Sequence, residues 1–237
     1  NIQAYSVIVV RDKQILAEVY PVVNHQEHVL NAPVFLCFCA DLTRMEKAII
    51  ARGGSMDKNP LEIGLVSSID ASLVGMSAYL SAESLGMSGV MIGAVRNDPN
   101  EIARILKLPN KVYVVFGMVL GWPAEAPKQK PRMDPGTTMH YEVYGNQIDE
   151  RSLVEKLESY DAELANHYTS IQKVTTPDSW TNDINKKFAD TYIAELFLAL
   201  SQDALNKSSQ GYKKLVADSQ TPKGLNMQVL NELKKGK

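Results

Sequence analysis

Through the first 120 residues, runs of β-branched and apolar positions alternate with stretches of helical period, and beyond them only helical period persists. Val7-Ile8-Val9-Val10 reads as a buried strand closed by the charged Arg11-Asp12-Lys13. Pro33 opens a second strand run, Val34 to Ala40, which ends at Asp41. Between the two, residues 12 to 32 fit a short helix and a loop holding Asn24-His25-Gln26-Glu27-His28. A polar, glycine-bearing break over 52–60 leads into the strongest helical pattern, Leu65, Ile69, Leu73, Met76 and Leu80, with Gly86 as a C-terminal stop. Ala71, Ser72, Gly75, Ser77 and Ala78 surround that stripe, so a neighbouring backbone can come close. The helix is therefore expected to be central and buried, with a subunit interface as one such place.

Gly89-Val90-Met91-Ile92-Gly93 fits a short buried strand. Asp98-Pro99-Asn100-Glu101 has the order of a helix opening, with Asp as cap and Pro at the first helical position, and the helix ends before Pro109. Lys111 to Leu120 is the next strand, stopped by Gly121-Trp122-Pro123. Prolines at 123, 127, 131 and 135 then enforce an extended, surface or site-forming segment. Leu153, Leu157, Tyr160 and Leu164 mark one later helix, and Ile184, Phe188, Ile193, Leu196, Phe197 and Leu200 another. The last stretch, from Gln210, is polar with a short amphipathic piece at Leu225, Val229, Leu230 and Leu233. The pattern defines a mixed α and β chain with one core, with residues 1–200 as the main domain and 201–237 as an extension.

Composition narrows the classes. With 237 residues, 45% hydrophobic and 22% charged, the chain is an ordinary globular one, neither fibrous nor repetitive. The 25 Lys and Arg residues against 27 Asp and Glu provide no overall cationic field for nucleic acid. No apolar stretch is expected to reach the roughly 18 residues of a membrane-spanning helix, and the N-terminal residues lack the basic and apolar regions of a secretory signal. A cytoplasmic setting is expected. Cys37 and Cys39 share one face of the second strand and read as reduced core residues, since two thiols alone make no zinc site.

The familiar catalytic motifs are missing: there is no phosphate-binding P-loop, no His-Glu-x-x-His and no Gly-x-Ser-x-Gly. His25 and His28 with Glu27 have the look of a solvated turn, and Gly53-Gly54-Ser55 follows no strand and reads as a plain loop. What stands out is Lys128-Gln129-Lys130-Pro131-Arg132. The proline favours an extended backbone, so that Lys130 and Arg132 can face one side and grip a phosphate, Arg as a fork and Lys as a point charge. A solvated basic loop is the other reading that these residues permit.

Three ordered blocks, Ala82-Glu83-Ser84-Leu85-Gly86-Met87-Ser88-Gly89-Val90-Met91-Ile92-Gly93-Ala94-Val95-Arg96-Asn97, then Phe116-Gly117-Met118-Val119-Leu120-Gly121-Trp122-Pro123, then Lys130-Pro131-Arg132, resemble the FMN-dependent nitroreductase family. Within it, the branch of the major oxygen-insensitive nitroreductase and flavin reductase P is the most similar. The resemblance runs from about Asn1 to Tyr144, with Asp178-Ser179-Trp180 a faint later echo. It implies an α+β, nitroreductase-like fold, a central and mainly antiparallel sheet flanked by helices, in an intertwined homodimer. It also implies FMN at the dimer interface and ping-pong hydride transfer from NADPH or NADH to nitroaromatics, quinones or free flavin.

Lys130 and Arg132 then take the FMN phosphate, Met91, Gly93 and Ala94 lie against the isoalloxazine, and Gln26 hydrogen-bonds the ring, with Gln3 in a segment that lines it. No side chain serves as a general base, because the flavin carries the chemistry. Arg96 is expected to be structural. Family members begin with a His-Arg-Ser-x-Arg type segment that has no counterpart here, so either the chain is a piece of the translated protein or those contacts are absent. Two alternatives stay open at this stage: an FMN-binding protein with little turnover, and another flavin reductase chemistry such as azo reduction or dehalogenation.

Overall fold

The structure, a computed structural model, describes residues 2–56, 60–145, 149–171 and 180–181. Four strands, β1 (Tyr5–Val10), β2 (Val34–Asp41), β3 (Ser88–Ile92) and β4 (Val112–Gly121), form one sheet in the order β1-β2-β4-β3. Every neighbouring pair is antiparallel, with Tyr5 opposite Ala40, Val34 opposite Leu120 and Ile92 opposite Gly117. Helices cover both faces. On one face, α1 (Lys13–Val22), α2 (Glu27–Leu30) and α5 (Pro99–Ile105) bury Leu16, Val19, Val29 and Ile102 against Phe35, Cys37 and Cys39. On the other, α4 (Pro60–Ser84) lays Ala71, Val74, Ala78 and Ala82 over Phe38 and Met118.

Local chemistry explains where the helices begin and end. Asp12 opens α1 by accepting from the Gln14 and Ile15 amides, at 2.7 and 3.3 Å. Asp98 opens α5 by accepting from Glu101 N at 2.9 Å, with Pro99 in the first turn. Gly86, at φ +81°, takes the left-handed turn that stops α4. A further short helix, α3 (Thr43–Ile50), lies in a stretch for which the sequence pattern predicts no element. It follows β2 directly, and Asp41 Oδ1 accepts from Thr43 N at 2.9 Å at its start.

Three expectations are corrected. The stripe Leu65, Ile69, Leu73, Met76 and Leu80 is exposed in this single chain, at 44–56% for each residue, and the helix buries its small residues instead. The cause is close approach: a Cβ on Gly75 would lie 2.2 Å from Phe116 Cζ, so α4 meets the sheet at a distance that large side chains forbid. Second, β3 pairs only with β4 and is an edge strand; Ile92 is buried, but Val90 and Met91 are exposed. Third, residues 62–84 are long and apolar enough to cross a membrane by length and composition, with a mean hydropathy of 1.4 over the best window. Asp70, buried within that stretch, is hydrogen-bonded to backbone amides of residues 2 and 4.

The chain divides into two compact units, Asn1–Ala126 and Pro127–Lys237, and the division falls in the proline-bearing segment. The second unit holds α6 (Glu150–Ser170), capped by Asp149, whose carboxylate accepts from Ser152 N at 2.9 Å. Leu164 is buried there, and the rings of Tyr160 and Trp180 meet edge to face at 6.1 Å. The helix expected around 184–200, the extension 201–237 and the residues Asp178 and Ser179 lie outside the described residues.

Candidate functional site

In the first unit, the antiparallel register puts the start of β1, the end of β2 and the start of β4 at one end of the sheet, whereas β3 runs towards that end and stops at Ile92, opposite Gly117 in the middle of β4. Gln3 stands just ahead of β1 on one edge of the sheet, and Met91, Gly93 and Ala94 stand at and just beyond the end of β3 on the other edge, with β2 and β4 between them. Asn97 Nδ2 donates to Val22 O at 3.3 Å, which ties the end of α1 to the turn that follows β3. Gln26 stands four residues beyond Val22, half-buried at the N-terminus of α2, where its side chain makes no capping bond. Asn24 and His25 ahead of it have φ of +57° and +55°, and His25 packs edge-on against Tyr20 at 4.9 Å.

Beyond Ile92 the chain enters a 3-10 turn, Gly93–Arg96, whose Val95 is buried while Gly93 is exposed. The side chain nearest to Gly93 is that of Arg96. A Cβ there would lie 3.4 Å from Arg96 Nη2, and Arg96 Nη1 donates to Val115 O at 2.5 Å. Arg96 thus ties the turn to β4 while its charge stands beside the glycine.

In the second unit, Lys130 and Arg132 are exposed on a segment with neither helix nor strand. Arg132 Nη1 donates to the carbonyls of Lys130 and Pro131, at 3.0 and 3.1 Å, and Lys130 Nζ stands 5.5 Å from the centre of the Tyr168 ring on α6. Among the described residues, no carboxylate forms an ion pair with Lys128, Lys130 or Arg132. Cations without a carboxylate partner suit an anionic phosphate such as that of FMN; in the first unit, taken by itself, an exposed strand end with a glycine suits a flat ring.

Some of what the fold assembles has no motif in the sequence. Asp70 and Arg44 converge on the backbone around Gln3, and the one hint in the sequence is an acid in the apolar middle of a helix whose other acids, Glu62 and Glu83, lie near its ends. A cavity of about 590 Å³ opens between α3, the start of α4 and β4, lined by Leu42, Glu46, Ile50, Ile63, Lys111 and Tyr113 among others; none of the predicted flavin residues lines it. Cys37 and Cys39 are buried and free, and burial pushes both thiols up, that of Cys39 to about 12, so neither is a nucleophile at neutral pH. No group of three or more metal-ligating side chains occurs among the described residues.

Residues 130–220 match the nitroreductase family C-terminal domain, and the match begins at Lys130. The chain is 34% identical over 186 residues to the oxygen-insensitive NADPH nitroreductase of Salmonella typhimurium, covering 78% of this chain and 73% of that protein. It is also 34% identical to the FMN reductase [NAD(P)H] of Bacillus subtilis, over 90% of this chain and 82% of the other. Among solved structures, the NADPH:FMN oxidoreductase of Vibrio harveyi complexed with NAD+ superposes with a TM-score of 0.66 at 27% identity, over 87% of this chain and 82% of that one. The chain belongs to the nitroreductase family.

Proposed function

We propose that this protein is an FMN-dependent oxidoreductase that takes electrons from NADPH or NADH and delivers them to nitroaromatics, quinones or free flavin. The observation that carries the reading is the identity, over most of its length, to relatives named as NADPH nitroreductase and FMN reductase. FMN, when bound, supplies two-electron hydride chemistry, so this chain needs to bind and orient rather than to move protons with a dedicated base. Lys130 and Arg132 hold the phosphate, supported by their lack of carboxylate partners among the described residues. The backbone at Gly93 and Ala94, with Met91, lies against the ring, and Gln26 hydrogen-bonds it, with Gln3 in a segment that lines it. Donor and acceptor take turns in one slot, which gives ping-pong kinetics.

The protein works as a homodimer, with α4 of each copy as part of the contact. Five large apolar side chains in a row on one helix face form the kind of patch that monomers rarely leave in water. A second copy of the same stripe is a self-complementary partner for it. The cytosol is the proposed compartment, in keeping with two free buried thiols.

The test is the double variant Lys130→Ala with Arg132→Ala. Losing two charge-assisted contacts of about 1.5–3 kcal/mol each weakens FMN binding by about a hundredfold or more. The variant is expected to purify colourless and to take up FMN only at high concentration; a flavin content equal to wild type would refute the assignment.

A further inference from the structure

We infer that Asp70 and Arg44 form a clamp that fixes residue 3 for flavin binding, with Asp70 a positioning residue acting through Gln3; this rests on the function proposed above. The amides on either side of Gln3, Ile2 N and Ala4 N, both donate to the same atom, Asp70 Oδ2, at 3.2 and 3.0 Å. Asp70 is 2% exposed in the middle of α4, 66 positions away from Ala4. From the other direction, Arg44 Nη2 donates to the Gln3 carbonyl at 3.2 Å and to the Tyr5 carbonyl. Arg44 Nη1 is held in turn by Asp41 Oδ2 and Ser6 Oγ, each at 3.0 Å.

Gln3 itself is exposed and has φ of +55°, a left-handed conformation that a side-chain-bearing residue adopts when its surroundings impose it. Starting a strand requires no such device. Tyr5 already pairs with Ala40, and Asp41 N donates to Ala4 O at 2.9 Å. Burying a carboxylate is costly unless hydrogen bonds compensate, and here the compensation comes from the two amides that flank one residue. What the clamp settles is the direction of the Gln3 side chain, because relaxing φ to the extended region would swing it to another side. It does so at the end of the sheet formed by the start of β1 and the end of β2, the end towards which β3 and the Gly93 turn run.

Both amides converge on a single oxygen, so Asp70→Asn, which keeps one carbonyl oxygen, preserves the clamp and Asp70→Ala removes it. Gln3→Gly deletes the side chain while leaving φ of +55° accessible. The measurements, on the full chain, are the FMN dissociation constant from flavin fluorescence, the absorption bands of bound flavin, and amide exchange at residues 2 and 4 in the FMN-free protein. Asp70→Ala and Gln3→Gly are each expected to weaken FMN about tenfold and to shift the bands alike, with Asp70→Asn within about threefold of wild type. The double variant is expected to be no weaker than either single one.

Multiplying effects in the double variant, or an Asp70→Ala protein with wild-type affinity and bands, would overturn the clamp. If Asp70→Ala does not fold, Arg44→Met carries the same comparison: loss in the wild-type background alone supports the clamp, and equal loss in the Gln3→Gly background overturns it. A wild-type chain that takes up no FMN at all would overturn the functional reading itself, a result distinct from either.

Discussion

The two faces of α4 differ in side-chain size far more than in polarity. The inner face presents Ser67, Asp70, Ala71, Gly75, Ala78 and Ala82 to the sheet, and the outer face presents Leu65, Ile69, Leu73, Met76 and Leu80 to solvent. A helix docked through small residues comes close to its sheet and gains dense packing, as at Gly75 against Phe116. A helix carrying a stripe of large residues needs a surface that receives them. The core of the single chain supplies the first kind of contact, and the proposed second copy supplies the other. On that proposal, apolar periodicity marks burial in the dimer rather than in the single chain.

The largest effect is expected on the outer face. Ile69→Glu with Leu73→Glu removes two side chains worth about 1.5–3 kcal/mol each when buried and places like charges opposite one another in a symmetric contact. Light scattering should read a dimer for wild type and a monomer for this variant, with an unchanged far-ultraviolet circular dichroism spectrum; a variant that stays dimeric would remove α4 from the interface. On the inner face, Gly75→Leu overpacks against Phe116 at a cost of about 3 kcal/mol, only partly offset by about 1 kcal/mol of better helix propensity. Denaturant titration should show a net loss of about 2 kcal/mol. Equal stability would mean that the helix stands farther from the sheet than described.

The smallest expected effect concerns Asp41, at the sheet end that α4 shares with β1. Burial pushes its carboxyl up, but hydrogen bonds from Ser6 and from the Thr43 side chain and backbone, with the Arg44 charge, more than offset this and hold it below the usual carboxylate range. A carboxyl depressed in the folded state contributes stability that is present above its unfolded value, about 3.9, and is lost as pH falls through the folded one. Thermal midpoints should therefore fall on acidification below about pH 4, and Asp41→Asn should flatten that fall. An identical acid profile in the variant would contradict the assignment.

Much of this fold is legible in the sequence where local chemistry decides. β1, β2 and β4 follow from β-branched runs bounded by charge or proline, and α5 from Asp98-Pro99. The orientation of α4 is not legible, because which face meets the sheet depends on the close approach at Gly75 rather than on hydrophobic period. α3 escapes notice because its eight residues carry no buried side chain. Of the candidate site, the Lys130-Pro131-Arg132 and Met91 to Ala94 segments are contiguous and announce themselves. The Asp70 and Arg44 bonds around Gln3 join residues 38 to 68 positions apart, and no local pattern encodes them.

Anaerobic reconstitution of the full-length chain with FMN, followed by addition of NADPH and then a quinone in excess, tests the central claim most directly. The account predicts a bound yellow flavin that bleaches with the nucleotide, recovers with the quinone, and sustains nucleotide consumption with parallel ping-pong lines. A protein that takes up no FMN, or one whose flavin bleaches once without sustained consumption, would contradict it.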